Sequence, residues 1–396
     1  LWAESVLSTG DVKSEDIALG EEGSELEEGL LECTKQLAQQ LSLEDLKKGD
    51  WFASLVRMAL KTYSKKVTAE YFRERYKGLP PDAIADQRVG AAVKHAGLEG
   101  VATGFLYSGA IAATIGSHGG ASPWTVPAAA VAVGADLTFV SAIQLRLAYD
   151  LSVIYGRPLD YEDPEDMQDL VAIAFGIKAA ESFQQALQKL APEAARITVK
   201  RFASGATLNW LKALPVVGKY LLQRNLIKFA IPVVAVGLGG GLNYAFTKRI
   251  GERAKRILRS RPAVEDRARK LRVEAEDAAE ALLLALWHVV RADGKTSRQE
   301  AWFLKTLRDE LIENEQLSAV LTRFEGRLEV EEDEVLDRLK ALSESERGEA
   351  LEACYLAATL DGKVHKRELD VIRKLAELCG VELDEQRIQA LKSELS

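Results

Sequence analysis

The chain has 396 residues, 47% of them apolar and 28% charged. That is the balance of a globular protein long enough for two or three domains, each burying its own core. A net charge of −8 excludes general nucleic-acid binding, which needs a surplus of Lys and Arg against the phosphates.

Residues 1 to about 28 are polar and acidic, and helical periodicity begins near Leu26, with Leu30, Leu31, Thr34, Leu37, Ala38 and Leu41 at three- and four-residue spacing. Leu1–Gly10 has neither a basic start nor a sufficient apolar run, so no cleavable signal is expected there. Ser42 before Glu44 and Asp45 predicts a helix start with acids in its first turn. Trp51, Leu55, Ala59 and Tyr63 form a further apolar stripe, and Leu79-Pro80-Pro81 breaks the chain.

Val101–Ala135 contains no Asp, Glu, Lys or Arg and is rich in Gly, Ala and Ser. Its first part, Val101–Gly116, spans roughly 24 Å as a helix, short of a hydrocarbon core of roughly 30 Å. Pro123, Pro127 and Asp136 are expected to interrupt or cap the next run, beyond which Leu137, Val140, Ile143, Leu147 and Leu151 recur at helical spacing. Gly156-Arg157-Pro158 should end that helix, and Asp163-Pro164-Glu165 should start another, running through Leu170, Ala174 and Ile177. A second charge-free run, Phe229–Thr247, carries Pro232 and the Gly237–Gly241 cluster. Close small-residue spacing in both runs predicts a buried helical hairpin, with bilayer insertion as the alternative. The basic helix that follows, with Lys248, Arg249, Arg253, Lys255 and Arg256, suits an anionic membrane surface, although such a face also serves simply as solvated surface.

After Arg261-Pro262 the chain is acidic and helical. Val290–Glu300 aligns with Ala358–Glu368 at an offset of 68 residues, each unit reading helix, Asp-Gly-Lys turn, helix. Ser297 and Glu300 predict a capping box; His365 and Glu368 lack the hydroxyl, so the second copy is expected to depart from it. Cys33, Cys354 and Cys379 lie far apart with no CxxC, predicting a reducing, cytoplasmic setting. P-loop, dinucleotide, nucleophile-elbow and metalloprotease patterns are absent from the sequence, which favours a non-enzyme.

Asp136, then Gln144-Leu145-Arg146, Tyr155-Gly156, Ile231-Pro232, Gly237, Gly240-Gly241, Asn243, Gly251 and Ala254 resemble the EcsC family over about residues 80 to 261. The family is mainly bacterial and takes its name from a protein encoded beside an ABC transporter; the resemblance implies a helical protein, often membrane-associated and without a settled activity. Asp136, Gln144, Arg146, Asp150, Tyr155 and Asn243 are its candidate ligand-binding residues. On one helix Asp136 and Gln144 share a face, and Arg146 and Asp150 stand at pairing distance. Three readings are open: a polar network locking helices, a pocket for a lipid head group or small anion, and a catalytic carboxylate.

The duplicated tail resembles the TerB domain of tellurite-resistance systems over about residues 276 to 396. That resemblance implies a metal site of Asp293, Glu300, Asp361 and Glu368, whose hard oxygens suit Ca²⁺ or Mg²⁺; capping and surface roles for these carboxylates are the alternative. The sequence therefore predicts an all-α, multi-domain protein: an N-terminal acidic arm and helices (1–80), a Gly-rich EcsC-like helical core (81–262) and a linker helix with a pseudo-duplicated TerB-like bundle (263–396). The expected function is a non-enzymatic accessory role in transport or stress response. The chain would be cytoplasmic and peripheral at the inner face of the membrane, with an anionic lipid and a protein as partners. An enzyme acting on a lipid or small molecule, or a purely soluble scaffold, are the alternatives.

Overall fold

The structure is a computed structural model that describes residues 30, 34, 36–37, 40, 43–48, 51–97, 125–176, 217–219, 221, 235–271, 276–294, 296–313, 332–360, 362, 364–380 and 383–395. Among these residues every regular element is a helix and none is a strand, so the fold is all-α. The contacts divide the chain into two compact units, one drawn from Leu1–Gly176 and Asn209–Arg256, the other from Ile177–Leu208 and Ile257–Ser396.

The first unit contains α1 (Leu43–Lys48), α2 (Trp51–Leu60), α3 (Tyr63–Lys66), α4 (Ala69–Arg75), α5 (residues 81–97), α6 (Thr125–Ile154) and α7 (Pro164–Ala174). Trp51, Leu55 and Ala59 are buried along α2, but the stripe passes through a turn before Tyr63 opens α3. Pro81 opens α5, where a missing N–H costs nothing.

From Gly134 onward helix α6 is buried almost all round, and it packs against α2, α4 and α7, the pattern of a central core helix. Pro127 is tolerated in its first turn. Asp136, expected to interrupt or cap, lies inside the helix instead, 2% exposed and hydrogen-bonded to another helix. A buried carboxylate with a cross-helix donor has no need of a helix end. The helix stops where Gly156 takes φ 75°, with Arg157 N donating to Ser152 O (2.9 Å) and Gly156 N to Val153 O (3.0 Å), a Schellman closure. The Asp163 carboxylate then caps α7 by accepting from Glu165 N (2.9 Å) and Asp166 N (2.8 Å). Helix α7 ends at Ala174, short of Ile177, because Gly176 adopts φ 63°.

Gly134–Ile154 is long and apolar enough to cross a membrane by length and composition, yet 89% of its window is buried inside the protein. Residues 101–124 and 229–234 lie outside the described residues, and so does most of the expected hairpin. The remainder of the second run opens α8 (Ala235–Lys270), and the division between the units falls within this helix.

The second unit holds α9 (Glu276–Arg291), α10 (Arg298–Glu313), α11 (Glu332–Lys340), α12 (Glu344–Thr359), α13 (Lys366–Leu378) and α14 (Glu385–Leu395). Helices α9 and α12 begin at 276 and 344, α10 and α13 at 298 and 366; both pairs keep the 68-residue offset of the sequence repeat. The two equivalent first helices, α9 and α12, pack on one another, and α11, α13 and α14 close around them. Gly294 and Gly362 occupy matching left-handed turns at φ 78° and 76°, a conformation that disfavours any Cβ.

Candidate functional site

The polar residues singled out in the sequence lie along the inner side of the first unit. Asp150 is fully buried on α6. Tyr63 Oη donates to its Oδ1 and Oδ2 at 2.8 and 3.0 Å. From α5, Arg88 donates through Nε (3.0 Å) and Nη2 (2.7 Å) to Oδ2. Arg146 takes a different course from the expected pairing with Asp150: its Nε donates to Ala59 O at 3.0 Å, and its guanidinium lies 4.3 Å from the Tyr63 ring centroid, a cation–π contact. The local pairing loses to a distant arginine because Arg88 presents two N–H donors to one carboxylate, the stronger geometry.

Further along the chain, Asn243 Nδ2 donates to Asp136 Oδ1 at 2.6 Å, and Gln144 Nε2 donates to Thr247 Oγ1 at 3.2 Å. Both contacts join α6 to α8. Tyr155 Oη donates to Asp82 Oδ1 at 2.8 Å, tying the end of α6 to α5. The backbone of α8 comes close at Gly251, where a Cβ would meet Val89 Cγ1 at 2.8 Å and Leu147 Cδ2 at 3.3 Å.

Sequence reasoning missed Tyr63, Arg88, Asp82 and Thr247. Arg88 had left a signal: it interrupts the apolar face of α5 formed by Ile84, Ala85, Val89, Ala92, Val93 and Ala96. A charge at that register calls for a buried partner.

Burial pushes the Asp150 carboxyl above its ordinary range, while Arg88 and then Tyr63 draw it back. Burial alone would lower the Arg88 guanidinium, but Asp150 and Tyr63 hold it well above its usual value. Burial, then Asp150, raises the Tyr63 phenol. The same two causes push Tyr149 up to about 12; its Oη donates to Ser64 O at 3.2 Å.

These phenols are easier to ionise in the unfolded chain than in the folded one. Their stabilisation is complete below pH about 10 and, for Tyr149, is lost as pH rises toward about 12. The melting temperature is therefore expected to fall steeply across that window, in step with phenolate absorbance. Tyr149→Phe should flatten the fall; an unchanged profile would show that Tyr149 is not the titrating group.

The basic residues of α8 divide into two sets. Lys248, Arg249 and Arg256 are exposed. Arg253 Nη1 donates to Gly176 O at 2.9 Å, and Lys255 Nζ pairs with Asp86, so these two fasten the helix to its own unit.

In the second unit, Glu300 and Glu368 are buried and Asp293 is half-buried; Asp361 lies outside the described residues. Glu300 Oε2 accepts from Ser297 N at 2.5 Å, and Glu368 Oε2 accepts from His365 N at 2.7 Å. The second copy was expected to lack the capping box. It has one, because the His365 imidazole replaces the hydroxyl and its Nδ1 accepts from Arg367 N at 3.4 Å. Both glutamates thus orient their own helix starts. Among the described residues no three of His, Cys, Asp and Glu gather as a metal-ligand group.

The side chains that join α6 to α8 are largely those whose order defines the resemblance noted above, and comparison with known families bears this out. The EcsC protein family matches over residues 125–262. These residues are similar to that family, as an EcsC-like region. Tellurite resistance protein TerB matches over residues 240–312, which includes the first copy of the tail repeat. The two matches share residues 240–262, within α8. No curated protein and no solved structure matches the chain. Within the EcsC-like region, Asp136, Gln144, Asn243 and Gly251 are contacts that set α6 against α8.

Proposed function

We propose that the chain is a non-enzymatic accessory protein of a stress or tellurite-resistance response. In this reading the EcsC region associates with an anionic membrane or lipid, and the TerB-like tail binds a divalent cation or docks a protein partner. The observation that carries the non-enzymatic reading is the engagement of the candidate ligand-binding residues of the EcsC-like region with their own fold. Asp136, Gln144, Arg146, Asp150 and Tyr155 each hold a partner on another helix or loop. Catalytic groups are aimed at a substrate, whereas these lock helices together. The two family matches supply the stress and resistance context.

The reading is tested by flotation of the purified chain with anionic and with neutral vesicles, with and without Ca²⁺. Enrichment on anionic vesicles is expected. Equal absence from both vesicle types in every condition would rule out the membrane role.

A further inference from the structure

Residues 51–69 carry four cations, Arg57, Lys61, Lys65 and Lys66, and no Asp or Glu, in a chain whose net charge is −8. All four are exposed, and among the described residues none of their side chains takes part in a hydrogen bond or ion pair. The buried residues of α2 are Trp51, Phe52, Leu55, Val56, Ala59 and Leu60. At about 100° per residue, Arg57 lies roughly 150° and Lys61 roughly 170° from the centre of that buried arc. Lys61 N donates to Arg57 O at 3.0 Å, so the turn joining them is helical. In the next turn Tyr63 and Val67 are buried, and Val67 N donates to Tyr63 O at 2.9 Å. Lys65 lies roughly 180° from their midpoint and Lys66 roughly 80°. Both helices back onto one turn of α6: Arg146 Nε donates to Ala59 O at 3.0 Å, and Tyr149 Oη to Ser64 O at 3.2 Å. Their outward sides therefore lie on the same side of the unit.

We infer that this outward side of α2 and α3 is the membrane-contacting surface, and that its occupant is the head-group layer of an anionic phospholipid bilayer. The inference rests on the membrane reading above and deepens it by naming the surface. That surface precedes the EcsC-like match in sequence but packs on its α6. Charge complementarity selects the occupant. The exposed large apolar side chains among the described residues are Leu79, Tyr244 and Phe246, so the strip offers no aromatic anchor for a protein interface and no ring for base stacking. A head-group layer needs cations alone. The rest of a net-negative chain is repelled by the same bilayer, so binding depends on cations within roughly one Debye length of it, about 8 Å at physiological salt. A strip without acids meets that demand. The exposed cations of α8, Lys248, Arg249 and Arg256, instead have the exposed Glu252 among them.

The test is flotation with vesicles of phosphatidylglycerol and phosphatidylcholine, and with phosphatidylcholine alone. Three double variants accompany the parent chain: Arg57→Gln with Lys61→Gln, Lys65→Gln with Lys66→Gln, and Lys248→Gln with Arg249→Gln. The last matches the charge change on α8. Circular dichroism melting confirms that each variant folds, and a salt titration of the parent chain probes the contact without any substitution.

Each α2–α3 pair should weaken anionic-vesicle binding roughly thirty-fold, and the α8 pair should leave it near that of the parent. Binding of the parent should vanish by about 1 M salt, where the Debye length is about 3 Å. Persistence at that salt would overturn a contact made by charge alone. If the parent chain floats and the α2–α3 variants float equally well, or the α8 pair weakens binding as much as they do, the surface assignment is wrong while the membrane reading stands. If the parent chain does not float at all, both fail.

Discussion

Replacing Arg88 with Met is expected to lower the stability of the first unit by about 3–5 kcal/mol, the usual cost of breaking a buried ion pair from one side. The side chain of Asp150 is 0% exposed and that of Arg88 is 12% exposed, so water has little access to the carboxylate once the guanidinium is gone. Tyr63 still donates to it, but a phenol does not neutralise its charge. Urea unfolding followed by circular dichroism should show the loss as a lower midpoint with an unchanged slope.

The double variant Arg88→Met with Asp150→Leu should recover much of that loss, because apolar groups of similar size often replace a buried pair at little cost. A double variant no better than the single one would mean that packing by the Arg88 stem, and not its charge, is what counts. The pH dependence has a fixed sign. Without Arg88, the Asp150 carboxyl moves further in the raised direction it already has from burial. An acid raised in the folded state favours folding when protonated, so the defect of the single variant should shrink on acidification and grow toward neutral pH.

Gly251→Ala is expected to destabilise the same unit by up to about 2 kcal/mol. The new methyl would lie 2.8 and 3.2 Å from the two Val89 methyl carbons and 3.3 Å from Leu147 Cδ2. Val89 is β-branched and buried, so it has few rotamers with which to retreat. Overpacking costs about 1–3 kcal/mol, and the better helix propensity of Ala returns about 1 kcal/mol; the clash wins.

Two comparisons isolate the cause. Val89→Ala in the Gly251→Ala background should give a favourable coupling of at least about 1 kcal/mol in a double-mutant cycle. Gly348→Ala, at an exposed position of α12 with nothing within 4 Å of the new methyl, should instead stabilise its unit by about 0.5–1 kcal/mol. Destabilisation by both glycine substitutions would remove close packing as the explanation at Gly251.

Much of the architecture is local and could be read directly from the sequence. Asp163-Pro164 specifies a helix start because the cap and the first-turn proline act within three residues. Gly156 specifies a stop because a single left-handed residue closes the helix. The repeat at an offset of 68 predicts two equivalent helix pairs, since the same short-range propensities recur in each copy. Even there one detail was decided by the fold: an imidazole nitrogen took the place of a hydroxyl at His365.

The site needed more than local rules. Helical periodicity places Asp150 on a face and shows that it needs a partner, but it favours the neighbour four residues away. The carboxylate instead binds Tyr63 and Arg88, which are 87 and 62 residues distant in sequence. Asp136 likewise meets Asn243 across 107 residues. Spacing along one helix fixes direction only, whereas the choice among distant donors depends on which helices pack together. The sequence therefore determined the helices, their ends, the duplicated tail and the residues needing partners. Tertiary packing alone decided the partners, because the cost of burying a charge is met by whichever donor the assembled core brings within hydrogen-bonding distance.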